Sequence, residues 1–279
     1  MKTIFLGGSP RSGTTLLQSV LCSDKQTNPL IREVTYLASM LGAYRMGKTY
    51  YTDEVEDYFQ SREDLQQFSA EWTIAFLEKV RQRYAPATCL VLQSPELTKY
   101  FPELHELLPD AQFLISVRDP RDTIASLIEV GEKMKHSGTT AQQKGAFLQT
   151  RDVAQLSRLY RSYYTPALKE TSATFRDRLR FVKYEGLTSH TATVLEQLRS
   201  FSGLELQDFN PAGEWQRNTI DFQQLSEADR PWWSNELYGK AIANSRIGRY
   251  RQILSVDEIA IVERECQDIL HLFSYSSVS

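Results

Sequence analysis

Histidine and cysteine are scarce in this chain, four and three of its 279 residues. Cys22, Cys89 and Cys266 are odd in number and lack any CxxC spacing. That argues against a disulfide framework and against a zinc site, and the three read as reduced thiols. An excess of charge of one sign is also missing. With a formal net charge of −3, no overall field draws the molecule onto nucleic acid or an anionic membrane, and neither is expected as a partner. A bound anion must then be held by local placement of Arg, Lys and backbone N–H groups. Long apolar runs are absent too, and nothing approaches the ~18 to 20 residues needed to cross a bilayer. The amino-terminal run Ile4-Phe5-Leu6 stops at Gly7-Gly8, short of the about 7 to 15 apolar residues of a secretory signal. The expectation is a chain that begins directly with structure and resides in the cytoplasm.

What is present is an ordinary globular composition, 41% hydrophobic and 24% charged, long enough to bury a sizeable core. Thr3–Leu6, Thr88–Leu92, Gln112–Val117 and Leu179–Val182 read as short buried strands. Helices are expected over Thr14–Cys22, Glu33–Tyr44, Leu65–Tyr84, Leu97–Leu108, Phe147–Thr171, Ala192–Phe201 and Val256–Leu272, with another beginning at Asp119-Pro120. In Leu65–Tyr84 the helical stripe is Phe68, Trp72, Ala75, Phe76 and Val80. Polar, glycine-bounded 131–145 reads as a mobile loop, and 203–250 as a long irregular cover containing Trp215 and Trp232-Trp233. Strands alternate with helices, so the expected fold is three-layer α/β/α around a parallel sheet, in one domain over residues 1–279.

Two motifs carry the chemistry. Gly7-Gly8-Ser9-Pro10-Arg11-Ser12-Gly13-Thr14-Thr15 follows a strand and opens a helix, where backbone N–H groups and a helix N-terminus converge on an anion. The spacing from Gly8 to Gly13 matches the nucleotide P-loop G-x-x-x-x-G-K-S/T, but Thr14 stands where that loop has its lysine. The missing lysine makes a kinase or nucleotide hydrolase the weaker alternative. The second motif is Val117-Arg118-Asp119-Pro120, ending a strand, with Ser126 just over two helical turns beyond Arg118. An arginine and a hydroxyl at the carboxyl end of a parallel strand suit a second phosphate.

In this order and about a hundred residues apart, the motifs resemble the 5′-phosphosulfate loop and 3′-phosphate motif of sulfotransferases that use 3′-phosphoadenosine 5′-phosphosulfate (PAPS). The Pro10-Arg11-Ser12-Gly13-Thr14-Thr15 form is similar to the tyrosylprotein branch. The resemblance implies a P-loop-type sulfotransferase fold and sulfuryl transfer from PAPS to an acceptor hydroxyl, phenolic (a tyrosine included) or on a small molecule, without a metal. It further implies that Pro10, Arg11, Ser12, Gly13, Thr14 and Thr15 hold the 5′-phosphosulfate, and Arg118 and Ser126 the 3′-phosphate, with Tyr184 closing over it. Ser234 to Tyr250 resembles the stretch that closes on the donor, through Ser234, Lys240 and Tyr250. Glu33 occupies the place of the branch's general base, offset by about one residue, and Arg11 and Ser234 would serve the leaving group. One slot departs from the branch, because Gln93 stands where a lysine assists the leaving group. Arg11 and Ser234 then carry that load, or Lys99 reaches in, or activity is low. A donor-binding protein without turnover is therefore a second reading. Tyr36, Tyr44 and Trp232-Trp233 are candidates for lining the acceptor cleft, whereas His105, His136, His190 and His271 lie beside no motif.

Overall fold

The computed structural model describes residues 2–137, 145–213, 215, 217–221, 224, 231–233 and 238–275. Strand β1 (Lys2–Gly8) leads through the glycine loop into α1 (Thr14–Leu21). Helices α2 (Thr35–Thr49) and α3 (Arg62–Arg83) follow, then β2 (Cys89–Gln93), a 3₁₀ turn at Glu96–Tyr100 and α4 (Phe101–Leu107). Next come β3 (Gln112–Val117), α5 (Pro120–His136), α6 (Val153–Lys169), α7 (Ala173–Arg178) and β4 (Leu179–Lys183). The described chain ends with α8 (Tyr184–Ser189), α9 (Thr191–Ser202), α10 (Tyr250–Ile253), α11 (Val256–Glu265) and α12 (Gln267–Leu272).

The strands form one parallel sheet in the order β2-β1-β3-β4. Its side chains alternate between two cores, as the period of two along a strand requires. Phe5, Leu92, Phe113 and Ile115 pack on one face with residues of α2, α5 and α6 such as Leu37, Ile128 and Tyr160. Ile4, Leu6, Val91 and Leu114 pack on the other with Leu17 and Val20 of α1 and Leu195 and Leu198 of α9. The three-layer α/β/α expectation is met. Phe113 sits at the centre of the first core, its ring 4.9 Å from Phe101, 5.5 Å from Phe175 and 5.9 Å from Phe5. Truncating it to alanine would cost about 3–5 kcal/mol.

The chain leaves β1 toward β2 on one side and later returns to place β3 on the other. This reversal opens a crevice at the carboxyl ends of β1 and β3, the position where such sheets take ligands. Both sequence motifs lie there. Asp119 caps α5 by accepting from Arg121 N at 2.9 Å, with Pro120 in the first turn. The buried Arg121 guanidinium then bonds both Asp119 oxygens (Nε to Oδ1 2.9 Å, Nη2 to Oδ2 2.7 Å) and reaches Glu263 of α11 at 2.7 Å.

Several boundaries differ from the sequence reading. The segment assigned to a loop is helical as far as His136, and 138–144 lie outside the described residues. Gly131, read as a helix breaker, lets the Leu148 carbonyl approach, since a Cβ there would fall 2.3 Å from that oxygen. The helix expected at Phe147 starts at Val153, after a left-handed Arg151 (φ 55°) and an Asp152 cap. Ser172 caps a separate α7, and the last helix divides at Cys266. Among the described residues no helix is long and apolar enough to span a membrane.

Candidate functional site

The glycine loop is braced from beneath. Ser12 Oγ donates to Ser9 O at 2.7 Å, and Ser116 Oγ of β3 donates to Ser12 O at 2.7 Å. Tyr164 of α6 accepts from Ser9 N at 3.3 Å and donates to Ser116 O at 3.2 Å. Gly13 takes φ 98°, and a Cβ there would lie 2.6 Å from the Tyr184 ring, so glycine is demanded twice over. Arg11 is held in the left-handed region at φ 71°, a conformation that costs a non-glycine residue about 1–2 kcal/mol. Its guanidinium is captured by three groups: Nε donates to Ser126 Oγ at 3.1 Å, and Nη1 donates to Tyr238 Oη at 3.0 Å and to the Trp232 carbonyl.

Arg118 leaves β3 almost fully buried. Its Nη1 donates to Arg11 O at 3.3 Å and Nη2 to Arg246 O at 2.6 Å, while Tyr184 lies flat against the guanidinium at 4.6 Å. Its Nε is buried without a hydrogen-bond partner among the described residues. Asp122, one turn on, faces Nη2 at 4.0 Å and accepts from the backbone N–H groups of Gly248 and Tyr250 at 2.7 and 2.9 Å. Burial pushes the Asp122 carboxyl up, with Arg118 pulling it back. Glu129 in turn holds Arg249 at 2.7 Å and Arg246 at 3.8 Å.

Two cavities meet at this pair of arginines. The first is an open cleft over the loop, about 880 Å³ counting the space it shares with solvent. Pro10, Arg11, Gly13, Thr14 and Thr15 form its floor, Tyr184 and Arg118 one wall, and Glu33 and Pro95 another. Trp215, Trp232, Trp233, Tyr238 and Lys240 from the cover segment close it. The second, about 700 Å³, is lined by Arg11, Arg118, Lys133, Arg246 and Arg249 with Ser126, against two carboxylates, Asp122 and Glu129. A locally cationic hollow thus exists in a chain of net charge −3.

Most sequence-predicted residues converge here: Pro10, Arg11, Gly13, Thr14, Thr15, Glu33, Arg118, Tyr184 and Lys240 line the first cavity, and Ser126 the second. Others do not. Ser12 is fully buried inside the loop and lines neither cavity: its Oγ and backbone N–H donate to Ser9 O at 2.7 and 3.1 Å, and its carbonyl accepts from Ser116. Tyr250 and Tyr44 are core residues, the latter donating to Glu106 at 3.0 Å. Gln93 is buried and outside both linings, its Nε2 without a partner among the described residues. Lys99 pairs with Glu96 at 2.9 Å and lies over Tyr163 at 4.3 Å. Ser234 lies outside the described residues. None of the four histidines lines either cavity, and no cluster able to hold a metal occurs among the described residues.

Sequence reasoning missed Lys133, Arg246 and Arg249. Ser126, Glu129 and Lys133 share one face of α5 at helical spacing, a pattern hidden once 131–145 is read as a loop.

A strand–glycine loop–helix beside a second, cationic hollow, at the carboxyl ends of a parallel sheet, is an arrangement suited to an anionic ligand. The Sulfotransferase family model matches residues 3–208, and the chain belongs to that family. Relatives are protein-tyrosine sulfotransferase 1 of Homo sapiens, 32% identical over 138 residues (46% of this chain, 34% of that protein), and of Danio rerio, 31% identical over 138 residues (46% and 36%). The matched stretch spans about a third of those relatives' length, and the kinship agrees with the tyrosylprotein-like form of the loop. In fold, the chain is similar to the sulfotransferase domain from the curacin biosynthetic pathway, with TM-score 0.60 at 19% identity over 99% of this chain and 98% of that one. The sulfotransferase domain from the Synechococcus PCC 7002 olefin synthase gives 0.56 at 18% identity over 99% and 95%.

Proposed function

We propose that this sulfotransferase takes its sulfuryl group from PAPS and passes it to an acceptor hydroxyl, phenolic or on a small molecule, with Glu33 as the base. The observation that carries the reading is the pair of cavities sharing Arg11 and Arg118, one on the glycine loop beside Glu33 and one ringed by cations. A nucleotide with phosphates on both sides of its ribose needs that spacing of positive charge. Arg118 Nε, without a partner among the described residues, has a hydrogen bond left to give.

Bound there, the donor supplies an activated sulfuryl group on its 5′-phosphate. Arg11 and the loop N–H groups of Gly13 to Thr15 hold that end, and Arg118, Ser126, Arg246 and Lys133 the 3′-phosphate. Glu33 accepts the proton of the acceptor hydroxyl as its oxygen bonds sulfur in line; the sulfur–oxygen bond to phosphate breaks and its electron pair leaves with the phosphate. Arg11 faces the charge that grows there, with Ser234 assigned the same task on motif resemblance alone. Lys240 supplies a further cation to the donor, and the tryptophans of the cover exclude water.

A second reading, donor binding without turnover, draws on Gln93. That side chain is sealed below the cleft where the branch has a lysine, and Lys99 is engaged elsewhere. Calorimetric titration with adenosine 3′,5′-bisphosphate and with ATP, followed by transfer from labelled PAPS to a panel of hydroxyl acceptors, separates the readings. Preference for ATP would overturn the proposal; tight bisphosphate binding with no transfer to any acceptor would favour the second.

A further inference from the structure

Helix α6 buries three tyrosines, Tyr160, Tyr163 and Tyr164, and their rings pack in the first core. Phenylalanine would fill the same space without a hydroxyl to desolvate, and a buried hydroxyl costs free energy unless it is bonded. Each of the three is bonded, and each just beyond the carboxyl end of a different strand. Tyr164 reaches the loop after β1: its oxygen accepts from Ser9 N at 3.3 Å, and it donates to Ser116 O at 3.2 Å. Tyr160 donates to Arg118 O at 2.7 Å, where β3 has just ended. Tyr163 donates to Glu96 Oε1 at 2.6 Å, in the turn that follows β2. Burial pushes all three phenols up, Tyr164 to about 12, so they are neutral donors at pH 7.

Two of these bonds hold the atoms that set the anion sites. Arg11, in the left-handed region at φ 71°, lies between Ser9 and Ser12. Tyr164 fixes Ser9 N, and Ser116 Oγ fixes the Ser12 carbonyl, so the strained residue is tethered on both sides. Arg11, Gly13, Thr14 and Thr15 are what this tether presents to the cleft. The peptide after Arg118 is likewise held at both ends, its carbonyl by Tyr160 and the N–H of Asp119 by Glu185 Oε1 at 2.9 Å. A carbonyl left unpaired at a strand's carboxyl end is free to turn toward a bound anion and repel it; Tyr160 keeps this one turned into α6. Tyr160 and Tyr164 stand about one helical turn apart, their ring centroids 4.8 Å from each other. One rigid element thus carries both grips.

We propose that Tyr160 and Tyr164 are positioning residues, a hydroxyl pair on α6 that fixes the glycine loop and the Arg118 turn at the separation the donor's two phosphate ends require. Tyr164 governs the 5′ end through Ser9 and Arg11, and Tyr160 the 3′ end through Arg118. Tyr163, bonded to a carboxylate that lines neither cavity, takes no part. This rests on the donor reading proposed above.

The test uses Tyr160→Phe, Tyr163→Phe and Tyr164→Phe, which keep the ring and its packing. Adenosine 3′,5′-bisphosphate and adenosine 5′-monophosphate are titrated calorimetrically into each, and the ratio of the two Kd values reads the 3′ contribution alone. Tyr160→Phe should shrink that ratio about two- to tenfold, the value of one neutral hydrogen bond, with monophosphate affinity unchanged. Tyr164→Phe should weaken both nucleotides by a similar factor and leave the ratio as it was. Tyr163→Phe should alter neither affinity. All three lose a buried hydrogen bond, so a purely structural role predicts unaltered binding or the same change in every variant. Either result would overturn the proposal. If the parent binds neither nucleotide, the donor reading fails, and amide hydrogen exchange of the ligand-free protein decides instead. Faster exchange confined to 9–15 in Tyr164→Phe and to 117–119 in Tyr160→Phe, with neither segment affected in Tyr163→Phe, supports the two grips; exchange raised everywhere or nowhere overturns them.

Discussion

Replacing Arg118 by alanine tests the junction of the two cavities. The guanidinium is buried between Tyr184 and the first turn of α5, so water screens it little. Hydrogen bonds to a charged group contribute about 1.5–3 kcal/mol each, so losing one contact to a phosphate should weaken adenosine 3′,5′-bisphosphate by roughly 10- to 150-fold. The loss should be much smaller for adenosine 5′-monophosphate, which has no 3′-phosphate. Isothermal titration of both nucleotides reads the difference, with thermal unfolding confirming a folded variant. Equal losses for the two nucleotides, or an unchanged bisphosphate affinity, would remove Arg118 from the 3′ site. The same variant has a pH signature. Burial already raises the Asp122 carboxyl and Arg118 restrains it, so the substitution raises it further. A carboxyl with a raised native pKa loses stability as pH climbs from its unfolded value through its native one. The melting-temperature deficit of Arg118→Ala against the parent should therefore be smaller near pH 4 than at pH 7, on top of a constant loss from its carbonyl bonds and its contact with Tyr184. A deficit constant across that range would show that Asp122 does not depend on Arg118.

Glu33→Gln should lower kcat by about 10²- to 10⁴-fold in steady-state transfer while bisphosphate affinity stays constant, as expected for a general base. Gly13→Ala forces a Cβ against Tyr184 at φ 98°. It should cost more than about 1 kcal/mol in denaturant unfolding and abolish saturable bisphosphate binding. Gln93→Met removes a buried amide that has no partner for its Nε2 among the described residues. Stability should change by less than about 1.5 kcal/mol and turnover by less than twofold; a large drop in kcat would place Gln93 in the transfer step.

Legibility in the sequence followed the range of the interactions. The glycine loop and Arg118 could be read because each is fixed by its own strand end and helix start, within a dozen residues. The helix-to-loop error at Gly131 has a distant cause, since the glycine serves the approach of Leu148 rather than a chain reversal. In α3 the stripe of Phe68, Trp72 and Phe76 outweighs Leu65 and Leu77 in any count of hydrophobicity, yet the buried line is Leu65, Ser69, Thr73 and Leu77, with Trp72 and Phe76 only partly buried against the core and Phe68 exposed. Periodicity finds an apolar face without saying how much of it the core covers. Arg246 and Arg249 come from irregular chain whose position is set by backbone bonds to Asp122, and no local pattern announces that.

The bond from Arg121 to Glu263 bears on where the molecule can be cut. The family match stops at residue 208, but the Arg121 guanidinium divides its charge between Asp119, beside Arg118, and a carboxylate on α11. A shortened chain ending at 208 would strip one counter-ion from a buried cation and remove Arg246 and Arg249 from the second cavity. The quarter of the chain beyond the family match thus braces the two cavities, and a graft of the site onto another scaffold must carry it along.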